Sequence, residues 1–303
     1  MIMKNRITIT AMTFILVSCD VASVSGLPDS GESTNPLSIA GVEIASTRAP
    51  YTDGKLKGDF GIMLIGKGSP DSYDGKDYAN VRFTSDGVSD CTTKDEVLLS
   101  GTEGTLYSYY PYSETVTDLK SIAVGITEDD CTDYMYGTPV TGLDNSNASA
   151  LITMNHALAA INLSIVRGTY SGTGIISKIA VSGEAIASKA ILDATTGRLS
   201  GFAGTGSEIR LKLNGSSEET LSDDVMEKYF IIIPTGESKP FDVTLTIDGV
   251  DFTATAPEVD LAEGTITKYT ATVNSKDFGI ACGYVTPWET VMHQYYDFEL
   301  YQF

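Results

Sequence analysis

Residues 241–256 read FDVTLTIDGVDFTATA. Phe241, Val243, Leu245 and Ile247 alternate with Asp242, Thr244 and Thr246, so an extended chain here has one apolar face and one polar face. Asp248-Gly249 follows, a pair that tolerates positive φ, and residues 250–256 return as the partner strand. The pattern predicts a β-hairpin with one buried face. Working outward, the same signals continue in both directions. Residues 59–65, 78–84, 104–112 and 121–127 are strand-like, and 208–213 alternates Ile209, Leu211 and Leu213 with Arg210 and Lys212. No long segment keeps a helical period. Residues 154–166 (MNHALAAINLSIV) fit either period, but Asn162 and Ser164 between aliphatics favour a strand with a bent or bulged start. The loop at 145–149 (NSNAS) marks a boundary. The expectation is an all-β chain of two β-sandwich domains in tandem, residues 49–150 and 151–303.

Composition sets the function class by exclusion. The chain has 303 residues, 42% of them hydrophobic, enough to fill two cores. A net charge of −20 excludes nucleic acid as a partner, because a phosphate backbone needs a basic footprint. It also opposes electrostatic binding to anionic lipid. There are four cysteines, Cys19, Cys91, Cys131 and Cys282. Cys91 and Cys131 both sit in Asp-Cys-Thr contexts, so a bridge between them and two free thiols are both open.

The amino terminus reads as an export signal. Lys4 and Arg6 precede a short apolar run, residues 7–17, too short to span a bilayer as a helix. Leu16-Val17-Ser18-Cys19 resembles a bacterial lipobox, which implies cleavage after residue 18 and lipidation of Cys19. The alternative is an ordinary secretory signal. Residues 1–18 are thus assigned as a lipoprotein signal peptide, and 19–48 as a polar tether followed by a removable segment. Multiple acyl chains would hold the precursor at the outer membrane.

Catalytic chemistry is sparse. There is no Gly-x-Ser-x-Gly elbow, His-Glu-x-x-His helix or phosphate loop, and GFAGTG at 201–206 has the wrong spacing for a dinucleotide. His156 lies in an apolar segment and reads as a structural residue of a core strand; His293 has no evident partner. Asp71, Asp74 and Asp77 around Gly75 could gather calcium, though aspartates in such loops are usually solvated. No catalytic residue, metal or cofactor is assigned.

Several separated features together resemble the fimbrillin family, subunits of the bacterial type V pilus. They are the lipobox at Cys19, Ser46-Thr47-Arg48-Ala49, Tyr109-Tyr110-Pro111-Tyr112, His156-Ala157-Leu158-Ala159, the run from Gly264 to Tyr269, and Trp288. The resemblance implies tandem sandwiches of transthyretin-like (Greek-key) topology. It also implies a lipoprotein precursor, removal of an amino-terminal segment by an arginine-specific protease, and assembly with other pilus subunits by strand exchange. Residues 37–45 (LSIAGVEIA) would be the removable strand, and Arg48-Ala49 the scissile bond. In the tail, Tyr296, Phe298 and Leu300 alternate with Asp297, Glu299 and Tyr301, as either a donor strand or a strand of the tail's own sheet. The reading is therefore a stalk or accessory subunit of a cell-surface fimbrium. The alternative is a non-polymerising surface lipoprotein that binds glycan or a partner protein, for which Tyr107, Tyr109, Tyr110 and Tyr112 are a candidate platform.

Overall fold

The computed structural model describes residues 33–45, 54–69, 71–128, 132–213, 218–258 and 260–287. Every regular element among them is a β-strand. The hairpin that opened the reading forms as expected, Phe241–Ile247 against Val250–Ala256, with Phe241 opposite Ala256 and Ile247 opposite Val250. Asp248 and Gly249 take φ of 51° and 79°, the left-handed values the turn requires.

An eight-stranded sheet carries the first part of the chain. Its order is Ser38–Ile44, Ser149–His156, Met135–Gly137, Gly104–Tyr110, Gly58–Gly66, Val81–Ser85 and Thr92–Thr93, with Val140–Leu143 also on Gly104–Tyr110. Leu37, Ile39, Phe60, Ile62, Phe83 and Ile152 are among the buried residues of its core. The segment expected at 104–112 stops at Tyr110, just before Pro111, which has no N–H to give the ladder.

Two five-stranded sheets carry the second part. One has Ile186–Ala187, Met226–Pro234, Ala159–Arg167, Thr265–Val273 and Phe278–Pro287; the other has Ile209–Arg210, Ile175–Ser182, Phe241–Ile247 and Val250–Ala256, with Glu219–Thr220 at its side. Their inner faces meet in one core, where the Phe241 ring stands edge-on to Tyr269 at 5.2 Å. Only Ile209–Arg210 of the stretch 208–213 joins a ladder, although Ile209, Leu211 and Leu213 are all buried.

The ambiguous stretch 154–166 breaks in two. Ser149–His156 ends in the first sheet, Ala157 and Leu158 turn inward, and Ala159–Arg167 begins the second. The chain thus crosses between cores at residues 157–158, a few positions beyond the loop 145–149. One strand crosses the other way: Ile122–Gly125 pairs with Lys189–Asp193, and Ile122 and Val124 are buried in the second core.

Candidate functional site

Ser38–Ile44 holds the position of interest. It runs parallel to Ser149–His156, an arrangement no tight turn can produce. Its other edge is bonded as well. The Cys91 N–H donates to the Ile39 carbonyl at 2.8 Å, and the Leu56 N–H donates to that of Val42 at 3.0 Å. The Ile44 N–H donates to Gly54 at 2.8 Å, and the Leu37 N–H just before the strand donates to Val97 at 2.8 Å. The segment therefore sits inside the wall of the first core with backbone partners on both sides, and few polar groups remain to be met by water.

Its side chains fill that core. Leu37, Ile39 and Val42 are 7%, 0% and 1% exposed. Their spacing is uneven because the register slips: Ile39 faces Ala150, while Gly41 faces Leu151. Ala40 is thus an extra residue that does not advance the ladder. Val42 faces Ile152, so the inward positions step along the partner strand in plain alternation despite the sequence interval. Glu43 points outward toward Lys55, whose backbone it bridges.

Cys91 touches this segment. Its thiol is free and half-buried, and burial pushes its pKa up, which makes it a poor nucleophile. Cys131, the other half of the possible bridge, lies outside the described residues, as do Cys19, Arg48, Ala49, Trp288, His293, Tyr296, Phe298 and Leu300.

His156 sits where the chain passes from one core to the other. Its Nδ1 is 2.8 Å from Asp133 Oδ2, which fixes the ring at the crossing. Asp74 accepts from the hydroxyl of Ser100, 26 positions on, and Asp77 accepts from the Ala79 N–H, so both carboxylates are engaged by the protein itself. Among the described residues no group of three or more His, Cys, Asp or Glu side chains is arranged to hold a metal.

The tyrosines at 107–112 do not make one platform. Tyr109 is buried, donating to Asn80 Oδ1 at 2.8 Å and the Ser113 carbonyl at 3.1 Å, while Tyr110 packs on the first core and Tyr107 on the second. Sequence reasoning missed Tyr73, fully buried, whose hydroxyl donates to the Thr102 carbonyl at 2.6 Å and accepts from the Ser100 N–H at 3.0 Å. Its polar loop, SPDSYDGKD, gave no apolar alternation to reveal it.

These features define an all-β architecture with a strand of its own amino-terminal segment built into one core. The fimbrillin-like family model matches residues 47–288, and the chain belongs to that family. Among solved structures, a proposed cell adhesion protein from Bacteroides ovatus is similar over 85% of this chain and 99% of its own, with a TM-score of 0.65 and 17% identity. Another from Bacteroides uniformis covers 84% and 99%, with a TM-score of 0.63 and 20% identity. A fimbrial protein from Bacteroides vulgatus covers 84% and 100%, at 0.55 and 16%. At such identities the likeness is one of fold. No curated protein matches the chain. The family places the protein among pilus-related components of the cell surface and suggests a non-enzymatic role.

Proposed function

We propose that this chain is a stalk or accessory subunit of a surface pilus, made as a lipoprotein lipidated on Cys19, cut after Arg48 and assembled by strand exchange. The observation that carries the reading is the strand Ser38–Ile44, paired on both edges and buried at Leu37, Ile39 and Val42, only a few residues before Arg48. Burying those three side chains stabilises the first core by roughly 1.5–3 kcal/mol each, or about 5–9 kcal/mol gross. While the chain is continuous that strand stays at high effective concentration. A cut after Arg48 makes its retention a bimolecular matter, and a donor tethered to another subunit can replace it.

The tail supplies a donor of fitting pattern. Because Ala40 does not advance the ladder, the inward positions at 37, 39 and 42 match the plain alternation of Tyr296, Phe298 and Leu300. An unbulged strand can present all three side chains to the same sites. Ala49 after the scissile bond is small, and Pro50 is one position too late to block a trypsin-like protease. The test is Arg48→Ala. We expect a full-length lipoprotein that stays at the outer membrane and is absent from sheared fibres, whereas wild-type fibres yield Ala49 as the amino terminus. Normal incorporation of the variant would overturn the processing step.

A further inference from the structure

The outer face of the sheet containing Ala159–Arg167 carries a row of side chains that the strand exchange proposed above does not call on. Leu163 and Tyr269 face the core, so their neighbours Asn162 and Lys268 face outward. Tyr229 stands opposite Asn162 on one side, and Lys268 stands opposite it on the other. Beyond Lys268 a register irregularity in Phe278–Pro287 brings Tyr284 alongside, with the Lys268 ammonium 5.1 Å from its ring centre. The row therefore reads Tyr229, Asn162, Lys268, Tyr284 across four strands. One step along the sheet, Ser164 donates to both oxygens of Glu227, at 2.9 and 3.0 Å, and lies 3.4 Å from Asn162 Oδ1.

Two observations point to a ligand. Asn162 is 0% exposed, and its Nδ2 has no hydrogen-bond partner. A buried amide left half-satisfied is uncommon and costly. Tyr284 is 58% exposed on a sheet face where neighbouring positions are polar. An aromatic ring held in the open by a cation is a contact surface with little conformational entropy to lose. Together the row offers amide and ammonium donors, a carboxylate acceptor and a flat ring within adjacent strands. That mixture suits a molecule with hydroxyls that both donate and accept around an apolar C–H face. A peptide adding as a strand would need a sheet edge, not this face. Nucleic acid is excluded by the net charge of −20.

We propose that Asn162, Lys268, Tyr284 and Glu227 form a saccharide-binding site, with the sugar ring on Tyr284 and its hydroxyls on Lys268, Glu227 and the Asn162 amide. The amide is covered while the Lys268 ammonium rests on Tyr284, so binding requires the Lys268 side chain to swing off the ring, which frees the ring face and opens the way to Asn162.

The test uses the full chain as unassembled subunit, so it reads independently of polymerisation. Labelled protein is applied to an array of bacterial and mammalian surface glycans, and the best-bound glycan is titrated calorimetrically. Tyr284→Ala and Lys268→Met should each weaken binding about tenfold or more. Asn162→Leu should weaken it while leaving the melting temperature unchanged or higher, since it removes an unpaired buried polar group. Thr253→Ala, on the outer face of the other sheet, should bind as wild type. Because Tyr284 is exposed, its loss reports on binding and not on folding. Absence of binding to every glycan overturns the proposal. So does binding that survives both Tyr284→Ala and Lys268→Met, or capture only of polypeptide through this face.

Discussion

Gly61 shows how closely single residues are fitted. It lies opposite Tyr109 across the Gly58–Gly66 and Gly104–Tyr110 pair, and a Cβ there would come within 2.1 Å of the tyrosine ring. The ring cannot retreat, since its hydroxyl is bound to Asn80 and Ser113. Gly61→Ala should therefore cost about 1–3 kcal/mol or more through overpacking, seen as a lower urea midpoint at an unchanged slope. In the second part of the chain, Asp248 accepts from the Gly174 N–H at 2.9 Å, the Ile175 N–H at 2.8 Å and the Tyr170 hydroxyl at 2.7 Å. These bonds, led by the one from Gly174, hold its carboxyl below the ordinary aspartate value of 3.8. A depressed folded-state pKa means the stabilisation is complete above that value and is lost as pH falls through the folded one. Asp248→Asn should thus melt lower than wild type near pH 7, and the gap should close as melts are repeated toward about pH 2. A gap that stays constant with pH would mean the carboxylate's charge is not what the turn uses. Asp248 was legible in sequence as a turn residue. Its clamp on residues 174 and 175 was not, because that contact joins segments over seventy positions apart.

Elements with a local cause were readable, and those with a remote cause were not. The hairpin 241–256 needs only alternation and an Asp-Gly turn, so its limits came directly from the residues. The segment 37–45 was visible as a strand, but its parallel place beside Ser149–His156 was not, since no local turn encodes pairing across about 110 residues. In 154–166 a bent start to the strand was legible, but a full break that hands the chain from one sheet to another was not: Ala157 and Leu158 are both fully buried, and an apolar pair gives no turn signal. The buried strand makes a direct prediction at this scale. In the uncut precursor Ile39→Ala should cost about 2–5 kcal/mol, whereas exposed Ala40→Ser should stay within about 0.5 kcal/mol. After cleavage and replacement of the strand both substitutions should become silent, because the altered residue no longer belongs to the subunit. Denaturant titration of precursor and processed protein separates these cases. An Ile39→Ala penalty that persists in processed protein would show that the segment is never released.

At the scale of the whole molecule, the two cores differ in how they are closed. The first depends on Leu37, Ile39 and Val42 from the amino-terminal segment. Among the described residues the fully buried side chains of the second end at Val273, and Phe278–Pro287 adds an edge strand from which Phe278 and Ile280 pack, partly buried, against it. This asymmetry gives the tail its expected freedom. If residues 291–303 serve another subunit, deleting them should leave the second core intact and the melting curve of the monomer unchanged, while fibres fail to form. Phe298→Asp should block assembly nearly as well, since a charge placed in an apolar site without a partner costs several kcal/mol. Asp297→Asn should assemble normally, because that side chain is expected to face water. Growth of wild-type fibres should also quicken as salt rises from about 0.01 M to about 0.15 M, where screening shortens the reach of repulsion between strongly acidic subunits. Light scattering of processed subunits measures each of these rates. The decisive comparison is between the deletion and Phe298→Asp: both must yield folded monomers by circular dichroism. A deletion that instead unfolds the second core would make the tail a strand of its own sheet, and the first core would then need another donor.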